Sequence, residues 1–184
     1  AGVTLMSFAL LDDSSHVPRK FTFGGAFASY RSVLGAATTW PVLASLVLEG
    51  ILILGLIPFV AGLVLLHQAE GSTPAGLVIG AFAVGGTAFG FFVRRILSSI
   101  GPWNMVRLGG VVVGVSFMAS VLPLHWGVLA GLFFFVGFGF YMFHNNIQLQ
   151  VTELAPNARG AGVSVGAFFF MSGQGLGPVI WAPV

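Results

Sequence analysis

One acidic residue stands inside an otherwise apolar run of the chain. Glu49 lies in "SLVLEGILIL", about two turns inside a segment long enough to cross a bilayer. An ionised carboxylate at that depth costs roughly 2.5 to 3.5 kcal/mol unless it faces a partner or a wet cavity. Ser45, one turn earlier on the same helical face, is expected to hydrogen-bond it. Glu49 is therefore a candidate for proton coupling or for the charge that meets a substrate; the alternative is a neutral or snorkelling Glu near the interface.

A second candidate site is a stripe of aromatic and amide side chains at helical spacing. Its members are Phe134, Phe138, Tyr141, Asn145 and Gln148. Such a stripe could bind an amphiphilic organic molecule, because the rings supply contact area and the amides fix orientation. The alternative is that the Phe residues face lipid and the amides only mark the membrane interface. His144 lies on the boundary between the two faces and fits either interpretation.

The remaining reactive residues argue against several other kinds of site. There is no Cys and the four histidines are dispersed, so neither a thiolate nor a histidine-cluster metal site is expected. The run "GQGLGP" lacks the G-x-G-x-x-G spacing, and neither H-E-x-x-H nor G-x-S-x-G occurs. The seven basic residues are scattered rather than gathered on one face. The sequence therefore predicts no enzyme activity, no metal or cofactor, and no nucleic-acid partner.

The composition indicates that these residues are positioned by helices in a bilayer. Of the 184 residues, 57% are hydrophobic and only 7% are charged, which is too few charges to cover a soluble domain. The apolar runs lack the period of a strand or of an amphipathic helix, and one crossing needs about 20 residues. We expect an all-α polytopic membrane protein, a bundle of about five transmembrane helices. These are predicted at residues 41–66, 74–93, 105–122, 124–144 and 160–181.

The chain divides into three parts on this interpretation. They are residues 1–11, the end of a truncated transmembrane helix; residues 12–40, a cytoplasmic connector; and residues 41–184, the transmembrane bundle. The connector is either a surface-lying amphipathic helix around residues 26–34 or a disordered linker. Gly55 and Pro58 should kink the first crossing, because glycine is a poor helix former and proline removes a backbone hydrogen bond.

The distribution of basic and aromatic residues predicts the orientation. All seven Lys and Arg fall in connectors on one predicted side, which the positive-inside rule makes cytoplasmic. Trp40, Trp103, Trp126 and Trp181 lie at the ends of predicted crossings, where interfacial aromatics are common. On this topology residues 145–159 form a cytoplasmic connector between the fourth and fifth crossings.

One connector resembles a motif of a transporter family. The stretch "GFFVRRILSSIGPWNMVRLGG" contains Gly90, Arg94, Arg95 and Gly101. It resembles the second-half copy of a short conserved loop of the major facilitator superfamily. The loop's usual aspartate is missing here, and this departure weakens the expectation of a gating ion pair.

Two further stretches resemble the same family. "HNNIQLQVTELAPNARGAGVSV" resembles the tenth-helix exit and connector of bacterial drug:proton antiporter-like members, and its matching residues are Pro156, Arg159 and Gly160. "SGQGLGPVIW" is similar to the family's antiporter-type glycine-proline motif, and its matching residues are Gly173, Gly177 and Pro178. That motif stands here in the eleventh helix, the symmetry mate of its usual place. The order of parts resembles the C-terminal half of such a transporter, from the end of its sixth helix through its eleventh.

The resemblance implies a fragment of a secondary active transporter that moves a small organic compound by alternating access, with proton-coupled efflux favoured over uptake. It implies membrane lipid, a small-molecule substrate, protons and the missing N-terminal half as partners, in a bacterial inner membrane. The first and fourth crossings would correspond to the seventh and tenth helices, which line the family's central cavity. Glu49 and the stripe from Phe134 to Gln148 lie on those crossings. An uptake permease of the same superfamily and a non-transporting accessory or structural membrane protein are the alternatives.

Overall fold

The chain folds into helices throughout the part that can be described. The computed structural model describes residues 22–67, 72–154, 156 and 158–182, and no strand occurs in those ranges. The helices are α1 Phe23–Gly35, α2 Thr39–Leu52, α3 Ile57–His67, α4 Ser72–Ser120, α5 Trp126–Glu153 and α6 Arg159–Trp181. The expected all-α membrane bundle is confirmed, and helices are what apolar segments must form where no water can satisfy the backbone. The predicted helix end at residues 1–11 lies outside the described residues.

Within the described residues, four helical stretches are long and apolar enough to cross a membrane. They are Thr39–Leu65, Ser72–Ser120, Trp126–Glu153 and Arg159–Trp181. The second has 49 residues, which at 1.5 Å per residue far exceeds a hydrocarbon core of about 30 Å. A kink at Gly101 divides it into a first arm, residues 72–100, and a second arm, residues 102–120. Either arm is about the length of a single crossing, so the described residues contain five segments of that length.

The kink in α4 depends on a glycine followed by a proline. Gly101 has φ 75° and ψ 168°, a backbone conformation that is essentially restricted to glycine. Pro102 then begins the second arm, where its fixed φ suits a first helical position and its missing N–H removes no helical hydrogen bond. The turn between the two crossings is therefore made by two consecutive residues rather than by a loop.

We expect Gly101→Ala to destabilise the protein by about 1–3 kcal/mol, the usual cost of holding a side-chain-bearing residue in this backbone region. The added methyl group itself has open space, so the effect would come from the backbone alone. Thermal unfolding of the purified full-length protein measures it. Gly110→Ala is the matched control, because Gly110 is helical and equally open, and it should be neutral or slightly stabilising. Equal melting temperatures for the two variants would contradict this role for Gly101.

The first crossing is broken, as Gly55 and Pro58 predicted. α2 ends at Leu52, a single 3₁₀ turn covers Leu54–Leu56, and α3 starts at Ile57. The break leaves carbonyl groups without their usual helical partners. The indole nitrogen of Trp181, on α6, donates a hydrogen bond to the carbonyl oxygen of Ile51 at 3.0 Å. A side chain of the last crossing thus stabilises the break in the first.

The helices pack in two groups, which are joined by the contact between α5 and α6. α5 lies against both arms of α4, while α2 and the 3₁₀ turn lie against α6, which also contacts α5. Glycines bring the backbones together, which is how apolar helices associate when lipid is as apolar as they are. The glycines in closest backbone contact are Gly85, Gly109, Gly137 and Gly139 between α4 and α5, and Gly50, Gly55, Gly173 and Gly177 between α2, the 3₁₀ turn and α6.

The described part of the connector before the first crossing is helical. α1 begins after Thr22, whose side-chain oxygen accepts a hydrogen bond from the N–H of Gly25. Val33 is fully buried and packs with residues of α2, α5 and α6. Of the two alternatives for this connector, the helix is therefore the one observed, and one of its residues enters the core.

The fourth crossing extends beyond its predicted end. α5 continues past His144 to Glu153, so Asn145, Asn146 and Gln148 lie on a helix and not in a connector. Asn146 is buried and donates its side-chain amide to the carbonyl oxygen of Met142. Asn146 is covered by its surroundings while Asn145 beside it is exposed, so one face of this polar segment is buried and polarity does not mark the end of the helix.

Candidate functional site

Glu49 is buried between helices and bonded to a histidine. Its side chain projects from α2 with 6% of the residue exposed. The carboxylate oxygen Oε2 lies 2.8 Å from Nδ1 of His144 on α5. Glu49 lies between two and three helical turns from the start of α2, and His144 lies the same number of turns before the end of α5. The two residues therefore meet because they lie at matching depths on the first and fourth crossings.

The histidine ring is held by aromatic side chains from two helices. Phe140, one turn earlier on α5, stacks on it with ring centres 4.9 Å apart. Phe170 of α6 lies on the ring at the same centre-to-centre distance. Nε2 of His144 is 3.3 Å from the side-chain amide nitrogen of Gln148. Glu49, His144 and Gln148 thus form a chain of polar side chains, called here the Glu49 chain, which runs from the buried carboxylate toward the end of α5.

The hydrogen bonds of the Glu49 chain indicate where its protons lie. When Gln148 donates its amide hydrogen to Nε2, the neutral imidazole carries its own proton on Nδ1 and donates it to Glu49. The other oxygen of the carboxylate, Oε1, is buried and accepts no hydrogen bond from the residues described. A buried carboxylate with one unsatisfied oxygen is costly, so Glu49 has the capacity to take a further proton or a donor group.

Ser45 does not bond Glu49, and this expectation from spacing was wrong. The Ser45 hydroxyl donates to the carbonyl oxygen of Pro41 at 2.9 Å. The nearest acceptor for a serine within a helix is the carbonyl oxygen four residues earlier. Ser45 forms this local hydrogen bond instead of one to the Glu49 side chain one turn ahead. The partner of Glu49 comes instead from a different helix.

The aromatic stripe of α5 is divided between two environments. The Tyr141 ring and the Phe134 backbone contact Gly86 and Gly85 on the first arm of α4, and Phe138 meets Phe89 of that arm edge-on at 5.7 Å. Gln148 turns to the other side and contacts His144. Asn145 is exposed. The stripe therefore does not form one continuous exposed surface. Its aromatic end packs against α4, while Gln148 at its polar end belongs to the Glu49 chain.

The residues of the three sequence motifs lie in different parts of the bundle. Gly90, Arg94 and Arg95 are exposed on the first arm of α4, and Gly101 forms its kink. Pro156, Arg159 and Gly160 are exposed between α5 and the first turn of α6. Gly173 and Gly177 are buried against the first crossing, and Pro178 follows them in α6. Only the last motif approaches Glu49, through the contact of Gly173 with the backbone of Val47.

Sequence reasoning missed three members of the site. From the sequence His144 fits either of two interpretations, and Phe140 and Phe170, which hold its ring, do not stand out. His144 could have been identified as the partner of Glu49, because ionisable residues inside a membrane usually pair with one another. No pattern in the sequence identifies Phe140 and Phe170 among the 19 phenylalanines.

Apolar helices packed around a buried acid and histidine define a multi-pass integral membrane protein. The family model described as Major Facilitator Superfamily matches residues 1–178, and the chain belongs to this family of membrane transporters. No curated protein and no solved structure matches the chain significantly.

Proposed function

We propose that the chain is the C-terminal half of a secondary transporter that exports a small organic compound in exchange for protons, in the drug:proton antiporter branch of the family and in a bacterial inner membrane. The observation that carries the proposal is the hydrogen bond between buried Glu49 and His144, which joins the first crossing to the fourth. A carboxylate at this depth is expected to be functional, because its burial is costly and intramembrane acids commonly belong to proton pathways.

Proton binding would change the contact between these two crossings. An ionised Glu49 accepts a hydrogen bond from Nδ1–H of His144 through Oε2. A proton taken up at Oε1, the oxygen without a partner, would remove the negative charge that strengthens this bond. The bond between α2 and α5 would then be one between neutral groups and correspondingly weaker. A single proton on Glu49 thereby biases the packing of α2 against α5, which is what coupling to alternating access requires.

The substrate would bind beside the Glu49 chain, on the side that the N-terminal half of the transporter would close. Tyr141 and Asn145 are the exposed members of the α5 stripe and lie next to His144 in sequence. Ser45 and Gln148 complete the proposed cavity on α2 and α5. Phe138 packs against Phe89 of α4 and Phe134 stacks on Phe138, so these two rings lie outside it. The resemblance of Pro156, Arg159 and Gly160 to an antiporter connector favours efflux over uptake.

Transport by the full-length protein in sealed vesicles tests the proposal. An imposed proton gradient should drive movement of at least one compound from a panel of organic substrates, and an ionophore that collapses the gradient should stop it. Export is supported if a proton influx drives the compound in the opposite direction. Movement with the proton influx would favour an uptake permease, and no gradient-dependent movement of any compound would favour an accessory protein.

A further inference from the structure

A groove of about 410 Å³ opens between the two arms of α4 and α5, away from the Glu49 chain. Apolar side chains form most of its lining, including Leu108, Val112, Phe135 and Met142. Two polar residues of the first arm, Arg95 and Ser99, line it as well. The groove therefore combines a long apolar surface with one cationic group, the guanidinium of Arg95.

No carboxylate among the described residues neutralises the cationic part of the groove. Arg94 precedes Arg95 on the same arm, Arg107 stands at the start of the second arm, and all three are exposed. The carboxylates within the described ranges are Glu49, which bonds to His144, and Glu153 at the end of α5, and no ion pair joins either to an arginine there. The arginines are therefore available to an anion from outside the described chain.

The position of the groove points to the membrane interface. Trp103 follows the kink and is 71% exposed, as expected for an aromatic residue at the level of lipid headgroups. Arg95 lies less than two helical turns before Gly101, so its long side chain can extend its charge to the same level. Leu108 and Val112 lie progressively further along the second arm, toward the hydrocarbon.

We propose that this groove is a binding site for an anionic phospholipid. One acyl chain lies along the apolar lining, and the headgroup phosphate meets Arg95. Charge complementarity selects this occupant, because basic pockets between transmembrane helices bind acidic headgroups. A free phosphate ion would leave the apolar lining unfilled, and an uncharged apolar helix would leave the arginines without counter-charges.

Lipid binding to the purified full-length protein tests the proposal, with phosphatidylglycerol and phosphatidylcholine as probes and glycerol phosphate as a headgroup without acyl chains. Phosphatidylglycerol should bind more tightly than phosphatidylcholine, and Arg95→Gln should weaken that preference about fivefold, the effect of one basic residue near an anionic surface. Arg31→Gln is the control, because Arg31 is an equally exposed arginine on α1. Glycerol phosphate should not compete at similar concentrations.

A second pair of variants tests the apolar part of the groove. Val112→Trp fills it and should reduce binding of phosphatidylglycerol, whereas Val111→Trp, on the neighbouring exposed face, should not. Thermal unfolding of both variants shows that they are folded. Equal binding of the two lipids, an unchanged preference in Arg95→Gln, or full competition by glycerol phosphate would each overturn the proposal. Binding that survives Val112→Trp unchanged would overturn it as well.

Discussion

Glu49→Gln should insert and fold like the wild type and lose proton-driven transport by about tenfold or more. Glutamine keeps the shape of the side chain and can still accept from His144, but it cannot take up and release a proton. The substitution turns a charge-assisted hydrogen bond, of a kind worth about 1.5–3 kcal/mol, into a weaker neutral one. The measurement is transport into sealed vesicles driven by a proton gradient, repeated across a range of pH.

Exchange of substrate across the membrane without a gradient separates coupling from binding. If Glu49 carries the coupled proton, this exchange should survive in Glu49→Gln while the dependence on pH disappears. Loss of exchange together with driven transport would assign Glu49 to substrate binding instead. Glu153→Gln is the matched control, because it makes the same change at an exposed acid near the end of α5. Wild-type pH dependence in Glu49→Gln would show that this residue is structural.

Gly173→Ala should lower the free energy of unfolding by about 1–3 kcal/mol, the usual cost of forcing extra volume into a packed contact. A methyl group at Gly173 would lie 2.9 Å from the Cα and the carbonyl carbon of Val47, and closer still to its carbonyl oxygen. These are backbone atoms, which cannot turn aside as a flexible side chain can. α6 would therefore have to move away from α2, next to Glu49. Thermal unfolding of the purified protein measures the loss.

The control for this prediction lies two residues away on the same helix. A methyl group at Gly175 has no neighbouring atom within 4 Å, so Gly175→Ala should leave the melting temperature unchanged or raise it slightly. If both variants melt like the wild type, the close contact of α2 and α6 does not limit stability. If both are destabilised equally, the loss arises from glycine replacement in this helix and not from the crossing.

The helices and the break in the first crossing could be predicted from the sequence because their causes are local. Long apolar runs must form helices in lipid, and Gly55 with Pro58 interrupts the first of them through the backbone preferences of those residues. The crossings predicted at 74–93 and 105–122 leave a longer connector, whereas the helix continues to residue 100 and turns at Gly101 and Pro102. The end of α5 could not be predicted in the same way. Asn146 is polar and yet buried, while Asn145 beside it is exposed, so polar residues there lie within the helix and do not mark its end.

The error in the predicted end of the fourth crossing also explains why His144 was not predicted as the partner of Glu49. With the fourth crossing ending at residue 144, His144 lies at the interface, far in depth from the acid. With α5 continuing to Glu153, the two residues lie at the same depth. Periodicity correctly grouped Phe134, Phe138 and Tyr141 on one face, but it could not say what that face meets. In a bundle where helices and lipid are equally apolar, the neighbour is selected by shape, here by Gly85 and Gly86.

The first crossing meets α6 without any side chain between their backbones at one point. A methyl group on Gly55 or on Gly177 would lie 2.6 Å from the Cα of the other. Helices joined by interlocking side chains shift in discrete steps, because each side chain must leave one depression before it enters the next. A contact of bare backbone has no such steps, so it can serve as a pivot about which α6 swivels through small angles. The hydrogen bond from Trp181 to Ile51, one turn away, would then limit how far α6 can rotate against the first crossing.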